Sequence, residues 1–358
     1  MTGHLPLRPS NLPALTGLRF LAAGAVFTFH YGASALATAG APGPVVQLLR
    51  NGYLGVSLFF VLSGFILTYT HQHDVLSARY LRGFFVARFA RLYPVYFLAL
   101  MLALPAFPDQ PHVLSITSVL LMVQAWTYPA SSAGFYWVTQ AWTLSVELFF
   151  YLCFPLILLA SRRLQLATIL ALASVCAVLM VALGLPSVGP ETRYIPFMTP
   201  TTLPIPVLRL VEFVYGVMLA NLLRFIPLAK IKLGGTLGEC VVAGLIVAIM
   251  AMTDDMQIKA VSAVLMGVLI LQLGAGRGIV SRLLSSKPLI LLGGASYALY
   301  LIEGPVQALC TRYLSAPFNL IHPALSLAGA VAIFLWWEQP CRKAILAAFR
   351  SGHNRTPP

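Results

Sequence analysis

The sequence predicts an all-α, polytopic membrane protein that forms a single domain over residues 1–358. Of the 358 residues, 59% are hydrophobic and only 9% are charged, and the mean hydropathy is +0.85. A soluble domain carries roughly 25% charged residues, so this chain lacks the polar side chains that would cover a soluble surface. The composition therefore excludes a soluble enzyme, a disordered regulator and a coiled coil.

Ten apolar runs approach the length of about 20 residues that a helix needs to cross a membrane. A further run at 113–126 is shorter, at about 14 residues, and we expect it to be re-entrant or interfacial. The ten runs lie near 13–33, 53–71, 90–108, 141–160, 165–184, 204–223, 234–253, 257–275, 289–310 and 319–338.

The Lys and Arg residues indicate how these spans are oriented. With a cytoplasmic N-terminus, seventeen of the 23 basic residues fall on the cytoplasmic side and four outside, and Arg19 and Arg209 lie within spans. A cytoplasmic excess of basic residues is the usual bias of membrane proteins. We therefore predict that both termini, including a short basic tail at 344–358, are cytoplasmic. The formal net charge of +13 then reflects topology, and no nucleic-acid partner is expected.

Arg19 and His30 in the first run form the most informative pair of residues. Ionisable groups at bilayer depth cost roughly 2.5–3.5 kcal/mol each and usually mark function. The two residues are eleven positions apart, so a helix places them on one face, about 16 Å apart along its axis. A histidine there can act as a general base near neutral pH, and the cation can bind phosphate. The alternative is that Arg19 reaches the headgroups and His30 bonds a neighbouring helix.

Arg88 and Arg91, at the start of the third run, form a second candidate site. They are three residues apart and share a helix face. Planar guanidinium groups suit bidentate binding of phosphate. We therefore predict a phosphate site here, although the cytoplasmic bias of basic residues would also place arginines at this point.

Glu147 is a carboxylate about two turns into the fourth run and needs a partner at that depth. His30 is expected at a similar depth on the same side of the membrane. A carboxylate that accepts from one imidazole nitrogen leaves the other nitrogen as a base. We therefore predict that Glu147 orients His30; the alternative is a structural pairing with another buried donor.

Four more residues are candidates for contact with a substrate: Trp142, Ser145, Arg209 and Glu212. Arg209 and Glu212 are three residues apart within one span and could instead neutralise each other. The five cysteines are isolated, and no Cys/His cluster has the spacing of a metal site, so no metal is expected. The motifs of serine hydrolases, P-loop ATPases and HExxH metalloproteases are also absent.

Seven short motifs follow one another along residues 12–340. They are Arg19/His30, Gly52–Phe65, Arg88/Arg91/Tyr93/Pro94, Trp142–Glu147, Arg209/Glu212/Phe213/Gly216, Ser296–Pro305 and Glu338/Pro340. In this order they resemble the type 3 acyltransferase family of integral membrane proteins. Each motif is weak alone, whereas the ordered set is specific.

The resemblance implies a membrane-embedded O-acyltransferase that takes an acyl group, commonly acetyl, from acetyl-CoA and places it on a carbohydrate or glycolipid hydroxyl. It implies that His30 and Arg19 are the essential histidine and arginine of the family, and that Arg88, Arg91 and Glu147 match its other polar motifs. We therefore expect acyl-CoA, a glycan acceptor and the lipid bilayer as partners, in a bacterial cytoplasmic membrane. Formation of a homo-oligomer is left open.

Glu303 is a departure from the family pattern. Many members have histidine in the motif SYxLYLxHxP, whereas this chain reads SYALYLIEGP, with Glu303 at that position. From the sequence we assign no catalytic role to Glu303, and the difference could alter the choice of acceptor.

Two other classes of function stay open at this point. A secondary transporter or flippase would use the intramembrane charges as a coupling pathway, although no inverted repeat is visible. A structural scaffold of a polysaccharide assembly complex would leave the Arg19–His30 pair without a role. For an enzyme, His30 could act as a base or carry the acyl group covalently.

Overall fold

The computed structural model of the chain describes residues 12–105, 113–126, 138–189, 203–228, 235–315 and 321–353, and every regular element in this part is helical. The α-helices are α1 (Pro13–Thr38), α2 (Gly43–Arg50), α3 (Gly55–His71), α4 (Ala78–Ala103), α5 (Val113–Leu120), α6 (Trp142–Ser161), α7 (Leu166–Ala182), α8 (Ile205–Leu222), α9 (Thr236–Met252), α10 (Met256–Ala275), α11 (Ile279–Leu284), α12 (Lys287–Tyr313), α13 (His322–Ile333) and α14 (Gln339–His353). A π-helical turn, Phe334–Glu338, joins α13 to α14.

Seven helical segments in the described part are long and apolar enough to cross a membrane, which confirms an all-α integral membrane protein. They are Pro13–Thr38, Gly43–His71, Ala78–Ala103, Thr139–Ser161, Ile205–Leu222, Met256–Ala275 and Lys287–Tyr313. Two further predicted runs form the shorter apolar helices Leu166–Ala182 and Thr236–Met252. The count of ten spans and the cytoplasmic position of the termini stay predictions.

The run at 113–126 does not form a spanning helix. Helix α5 has eight residues, so it is only about 12 Å long, and Met122 just beyond it has a positive φ of 54°. Ser145 on α6 fixes the chain that follows, since its hydroxyl donates to the Met122 carbonyl at 2.5 Å and accepts from the Ala125 amide at 3.2 Å. This role explains why a serine is buried at position 145.

Helix α4 begins earlier than the sequence predicted. The apolar run suggested a start near residue 90, but Ser77 caps the helix by accepting from the Tyr80 amide at 3.1 Å, and α4 starts at Ala78. Arg88 and Arg91 therefore lie about three turns inside the helix, not at its start. The prediction was wrong because an arginine-rich helical stretch lowers the local hydropathy without ending the helix.

Helices α1, α3, α6, α8 and α12 form the centre of the described part, with the most extensive contacts between α3 and α8 and between α1 and α12. Both contacts depend on small residues that let backbones approach. A Cβ on Gly64 of α3 would lie 2.0 Å from the Phe213 carbonyl oxygen, and one on Gly293 of α12 would lie 1.9 Å from that of Thr16. Neither position has room for a side chain.

An ion pair is buried where α8 meets α3. Arg209 Nε lies 3.0 Å from Glu212 Oε2, and the two side chains are 1% and 0% exposed. The Arg209 guanidinium also donates to the Ser57 hydroxyl at 3.3 Å and to the Leu185 carbonyl. These bonds join α8 to α3 and to the 3-10 turn Leu185–Ser187, so the pair forms part of the helix packing.

The α3–α8 contact gives a stability prediction. We expect Gly64→Ala to destabilise the protein by about 1–3 kcal/mol because the methyl group forces the two backbones apart. Gly244→Ala in α9 is the matched control, since a Cβ there meets nothing within 4 Å and alanine favours a helix. Thermal unfolding of both variants in detergent measures the difference; equal midpoints would contradict the packing argument.

The buried ion pair gives a second prediction. We expect Arg209→Ala or Glu212→Ala alone to destabilise the protein by about 3–5 kcal/mol, because each leaves an uncompensated buried charge. The double replacement Arg209→Met/Glu212→Leu should recover most of that loss. Unfolding midpoints measure this, with acetyl-CoA binding as the second readout. A stable Arg209→Ala protein that no longer binds acetyl-CoA would show that Arg209 contacts substrate instead.

Candidate active site

A cavity of about 190 Å³ lies between α1, α3, α4, α6 and α12. Its wall is mostly aliphatic and aromatic, and most of its charged groups are cationic. The charged side chains in the wall are Arg19, Arg88, Arg91 and Glu147. The cavity therefore offers a narrow apolar space with a strong site for an anion.

The three arginines meet because two helices present them to one space. Arg19 comes from α1, and Arg88 and Arg91 lie one turn apart on α4, on the same face. The Arg88 guanidinium sits 5.6 Å from the ring centres of both Phe84 and Tyr151, which holds it by cation–π contact. The structure thus brings together the three cations that the sequence analysis selected from separate motifs.

Two carboxylates partly balance this positive charge. Arg19 and Arg91 both interact electrostatically with Glu147 and Glu338. Glu338 belongs to the π-helical turn Phe334–Glu338 and is only 7% exposed. In the sequence Glu338 stands out only through its motif with Pro340, so its place beside the arginines is a finding of the structure.

Glu147 is not the partner of His30, which corrects the sequence analysis. Its carboxylate accepts a hydrogen bond from the Tyr151 hydroxyl, one turn further along α6, and both residues line the arginine cavity. Thr143, Glu147 and Tyr151 share one face of α6, and this face turns towards the arginines. The positions of Glu147 and His30 within their spans predicted a similar depth in the membrane. They carried no information about which way α6 turns its Glu147 face.

The carboxylate on His30 belongs to Glu303. His30 Nδ1 lies 2.6 Å from Glu303 Oε1, and the Gln140 side-chain amide donates to the same oxygen at 3.0 Å. Glu303 is completely buried, whereas the His30 side chain is 27% exposed. The contact forms because α1 and α12 pack closely along their length.

A chain of hydrogen-bonding groups joins this histidine to the arginine cavity. The Gln140 carbonyl accepts from the Thr143 hydroxyl at 2.9 Å and from the Tyr300 hydroxyl at 3.3 Å. Thr143 and Tyr300 line the cavity, whereas His30 does not. Tyr300 and Glu303 share one face of α12, so the cavity ends next to the group that holds His30.

Aromatic rings surround the exposed side of His30. The ring centres of Phe29 and Tyr31 lie 5.0 and 5.8 Å from that of His30, and Tyr31 in turn contacts His322 at 5.1 Å. The His30 imidazole is therefore partly exposed and lies among aromatic rings. The uninterrupted helix α1 places Arg19 and His30 on one face, as the spacing of eleven predicted.

The other predicted substrate contacts lie outside the cavity wall. Trp142 packs edge-on against Phe60 with ring centres 6.3 Å apart, and Ser145, Arg209 and Glu212 make the structural contacts described above. These placements favour packing roles for all four. Among the described residues, no group of three or more His, Cys, Asp or Glu side chains could hold a metal ion.

Glu303 and Gln140 are the functional candidates that sequence reasoning missed. Both are polar groups in or beside apolar helices, which is the signal that selected Arg19 and His30. The sequence analysis assigned no role to Glu303, which departs from the family motif, and did not select Gln140 as a site residue. The contact between Glu303, Gln140 and His30 depends on the packing of α12 and the Thr139–Ala141 turn against α1, which the sequence does not show.

Comparison with known proteins matches most of the chain to one family. A family described as an acyltransferase domain matches residues 12–337. The acyltransferase MdmB of Streptomyces mycarofaciens is 31% identical over 62% of this chain and 59% of its own length. The peptidoglycan O-acetyltransferase OatA of Listeria monocytogenes is 25% identical over 93% of this chain and 56% of its own length.

The chain thus spans less than two thirds of the length of these curated relatives. No solved structure matches the chain. The family match extends from the start of α1 to the π-helical turn and includes every residue of the cavity and of the His30 site. The chain therefore belongs to the type 3 acyltransferase family.

Proposed function

We propose that this protein is a membrane-embedded O-acyltransferase that moves an acyl group, in the first place acetyl, from acyl-CoA to a hydroxyl of a carbohydrate or glycolipid. The observation that carries the proposal is that the cavity with three arginines ends beside the hydrogen-bonded groups that hold the His30–Glu303 pair. Family membership supports acyl transfer, and the name of the Listeria relative supports an O-linked acetyl product on a glycan.

The arginine cavity is suited to the donor. Coenzyme A carries phosphates at one end and a thioester at the end of a thin, mostly apolar arm. Arg88 and Arg91 would bind phosphate through charge-assisted hydrogen bonds, with Arg19 nearby. The apolar walls suit the arm and the acyl group, while the bulky nucleotide would stay at the mouth of so small a cavity. The fit requires no metal.

His30 is the group that would react with the thioester. As a base, Nε2 removes the hydroxyl proton of the acceptor while the hydroxyl oxygen bonds the acyl carbon; the carbon–sulfur bond breaks and the proton passes to the thiolate. As a nucleophile, Nε2 first bonds the acyl carbon and releases the thiolate. The acceptor oxygen then bonds the acyl carbon, the acyl–nitrogen bond breaks, and the hydroxyl proton passes to the thiolate. Both routes yield an ester and free CoA thiol.

The proposed location is a bacterial cytoplasmic membrane. The arginine side of the cavity falls on the face that the basic residues assign to the cytoplasm, where acyl-CoA is made. The aromatic surroundings of His30 lie towards the other face, where a glycan would approach. Acyl groups would then cross about half of the hydrocarbon core within the protein, along α1.

The central experiment measures release of CoA thiol by the purified protein from acetyl-CoA, with and without polysaccharide fragments. We expect His30→Ala to lower this rate by about 10²–10⁴-fold, the usual contribution of an acid–base group. Acetyl-CoA binding should be kept. His73→Ala is the matched control, because His73 is an exposed loop residue.

Retained thiol release in the His30→Ala protein would overturn the assignment of His30. Glycan transport into vesicles without thiol release would favour the transporter or flippase instead. Mass spectrometry of the fragments after the reaction identifies the acylated hydroxyl.

Arg91 gives a separate prediction about the donor. We expect Arg91→Ala to raise the KM for acetyl-CoA by about 10–100-fold, because a hydrogen bond to a charged group contributes about 1.5–3 kcal/mol. The kcat should change little. Arg312→Ala, which removes an exposed arginine at the end of α12, serves as the control. An unchanged KM with a reduced kcat would show that Arg91 acts on the reaction itself.

A further inference from the structure

We propose that Glu303 is a positioning residue that holds His30 with its proton on Nδ1 and compensates the positive charge that the ring acquires during acyl transfer. This inference rests on the proposed function of His30. It assigns a role to the one position where this chain departs from the histidine of the family motif.

The hydrogen bonds around Glu303 determine which imidazole nitrogen carries the proton. Glu303 Oε1 lies 2.6 Å from His30 Nδ1 and 3.0 Å from the donating amide of Gln140. With Glu303 ionised, its carboxylate only accepts hydrogen bonds, and Nδ1 is then the donor in this contact. In neutral imidazole the other nitrogen then carries the lone pair. Nε2 is therefore the nitrogen available to react.

The position of the carboxylate is itself fixed by the protein. Gln140 lies in the short turn Thr139–Ala141, and the Ala141 carbonyl accepts from the Gln124 amide at 2.8 Å. The Gln140 carbonyl accepts from Thr143 and Tyr300, which belong to the cavity wall. The same framework thus forms the end of the cavity and holds the carboxylate on His30. The turn Thr139–Ala141 therefore links the position of the acyl donor in the cavity to the position of the His30 imidazole.

The charge of Glu303 has no other counter-ion among the described residues. His30 is its only ion-pair partner there, in contrast to Glu212, which pairs with Arg209, and Glu147, which lies among arginines. A buried carboxylate without a permanent cation favours the state in which its neighbour becomes positive. His30 becomes positive in both proposed routes, as an imidazolium or as an acyl-imidazolium. The carboxylate thus stabilises charge that develops only during the reaction.

The second oxygen of the carboxylate supports this interpretation. Glu303 Oε2 is buried and has no hydrogen-bond partner among the described residues. Glu239, which caps α11, has both oxygens satisfied, since it accepts from the Gly278 and Ser281 amides and the Ser281 hydroxyl. The incomplete bonding of Glu303 is therefore unlike that of a helix-capping group.

The atoms of the reaction balance without any further reactant. In the base route Nε2 takes the proton of the acceptor hydroxyl, the oxygen–acyl bond forms, the carbon–sulfur bond breaks, and the proton leaves Nε2 for the thiolate. In the covalent route the same proton reaches the thiolate after the acyl–nitrogen bond breaks. Nδ1 keeps its proton, shared with Glu303, throughout. A neutral histidine in place of Glu303 could orient the ring but could not compensate its charge.

The test compares Glu303→Gln with the wild-type protein in the thiol-release assay with acetyl-CoA and polysaccharide fragments. Glutamine has nearly the same shape but no charge. We expect kcat to fall by about 10²–10⁴-fold, while the KM for acetyl-CoA changes less than about twofold because the arginine site is untouched. Glu303→Asp keeps the negative charge but places it further from His30. We expect its kcat to lie between those of the wild-type protein and Glu303→Gln.

The protonation state is measured directly by ¹⁵N NMR of histidine-labelled protein, with the His30 signals assigned by subtraction of the His30→Asn spectrum. The wild-type protein should show a proton on Nδ1, and Glu303→Gln should lose this single state. A wild-type His30 protonated on Nε2 alone would overturn the inference even if Glu303→Gln does not fold.

Glu239→Gln is the matched control, since it changes a fully buried carboxylate that caps α11. It should lower the unfolding midpoint and leave kcat and the His30 spectrum unchanged. If His30→Ala abolishes thiol release and Glu303→Gln keeps its kcat, the inference about Glu303 is wrong and the proposed function stands. If His30→Ala itself keeps its activity, the proposed function fails first.

Discussion

The cost of placing charge inside a membrane determines most of this structure. An ionisable side chain in the spanning region usually pairs with another group or faces a cavity, and the described residues show both arrangements. Arg209 and Glu212 neutralise each other in a closed contact. Arg19 and Arg91 instead face a cavity in which cations outnumber carboxylates. The first arrangement serves only the packing of the helices. The second leaves positive charge that a ligand could neutralise.

The two ends of the candidate site differ in the same way. At the arginine end, positive charge exceeds negative charge, which suits an anionic donor. At the His30 end, the buried carboxylate of Glu303 has only an imidazole as its partner, which suits a reaction that makes the imidazole positive. Helix α1 connects the ends through Arg19 and His30, and α12 runs alongside with Tyr300 and Glu303. The packing of α1 against α12 therefore fixes the distance between the arginines and His30, which the proposed function assigns to donor binding and to chemistry.

The sequence predicted the class of fold, the selection of cations and the common face of Arg19 and His30, because these depend on composition and helical spacing. It did not predict which carboxylate meets His30. Glu147 and Glu303 are both acidic residues in apolar helices, and only the rotation and packing of α6 and α12 distinguish them. The sequence also placed the start of α4 too late, because hydropathy indicates where apolar residues begin and not where the helical hydrogen bonds begin. The packing role of Ser145 was not predicted because its carbonyl and amide partners lie 23 and 20 residues away in the chain.

At Thr16 and Gly293 the backbones of α1 and α12 meet without an intervening side chain, directly beside the cavity wall. Side chains exchange rotamers within nanoseconds, whereas two backbones in contact keep their separation. The separation of α1 and α12 next to the cavity is therefore a property of the main chain. Discrimination between thin and branched acyl chains at this point would be insensitive to side-chain mobility, and it would persist through sequence changes that leave the glycine in place.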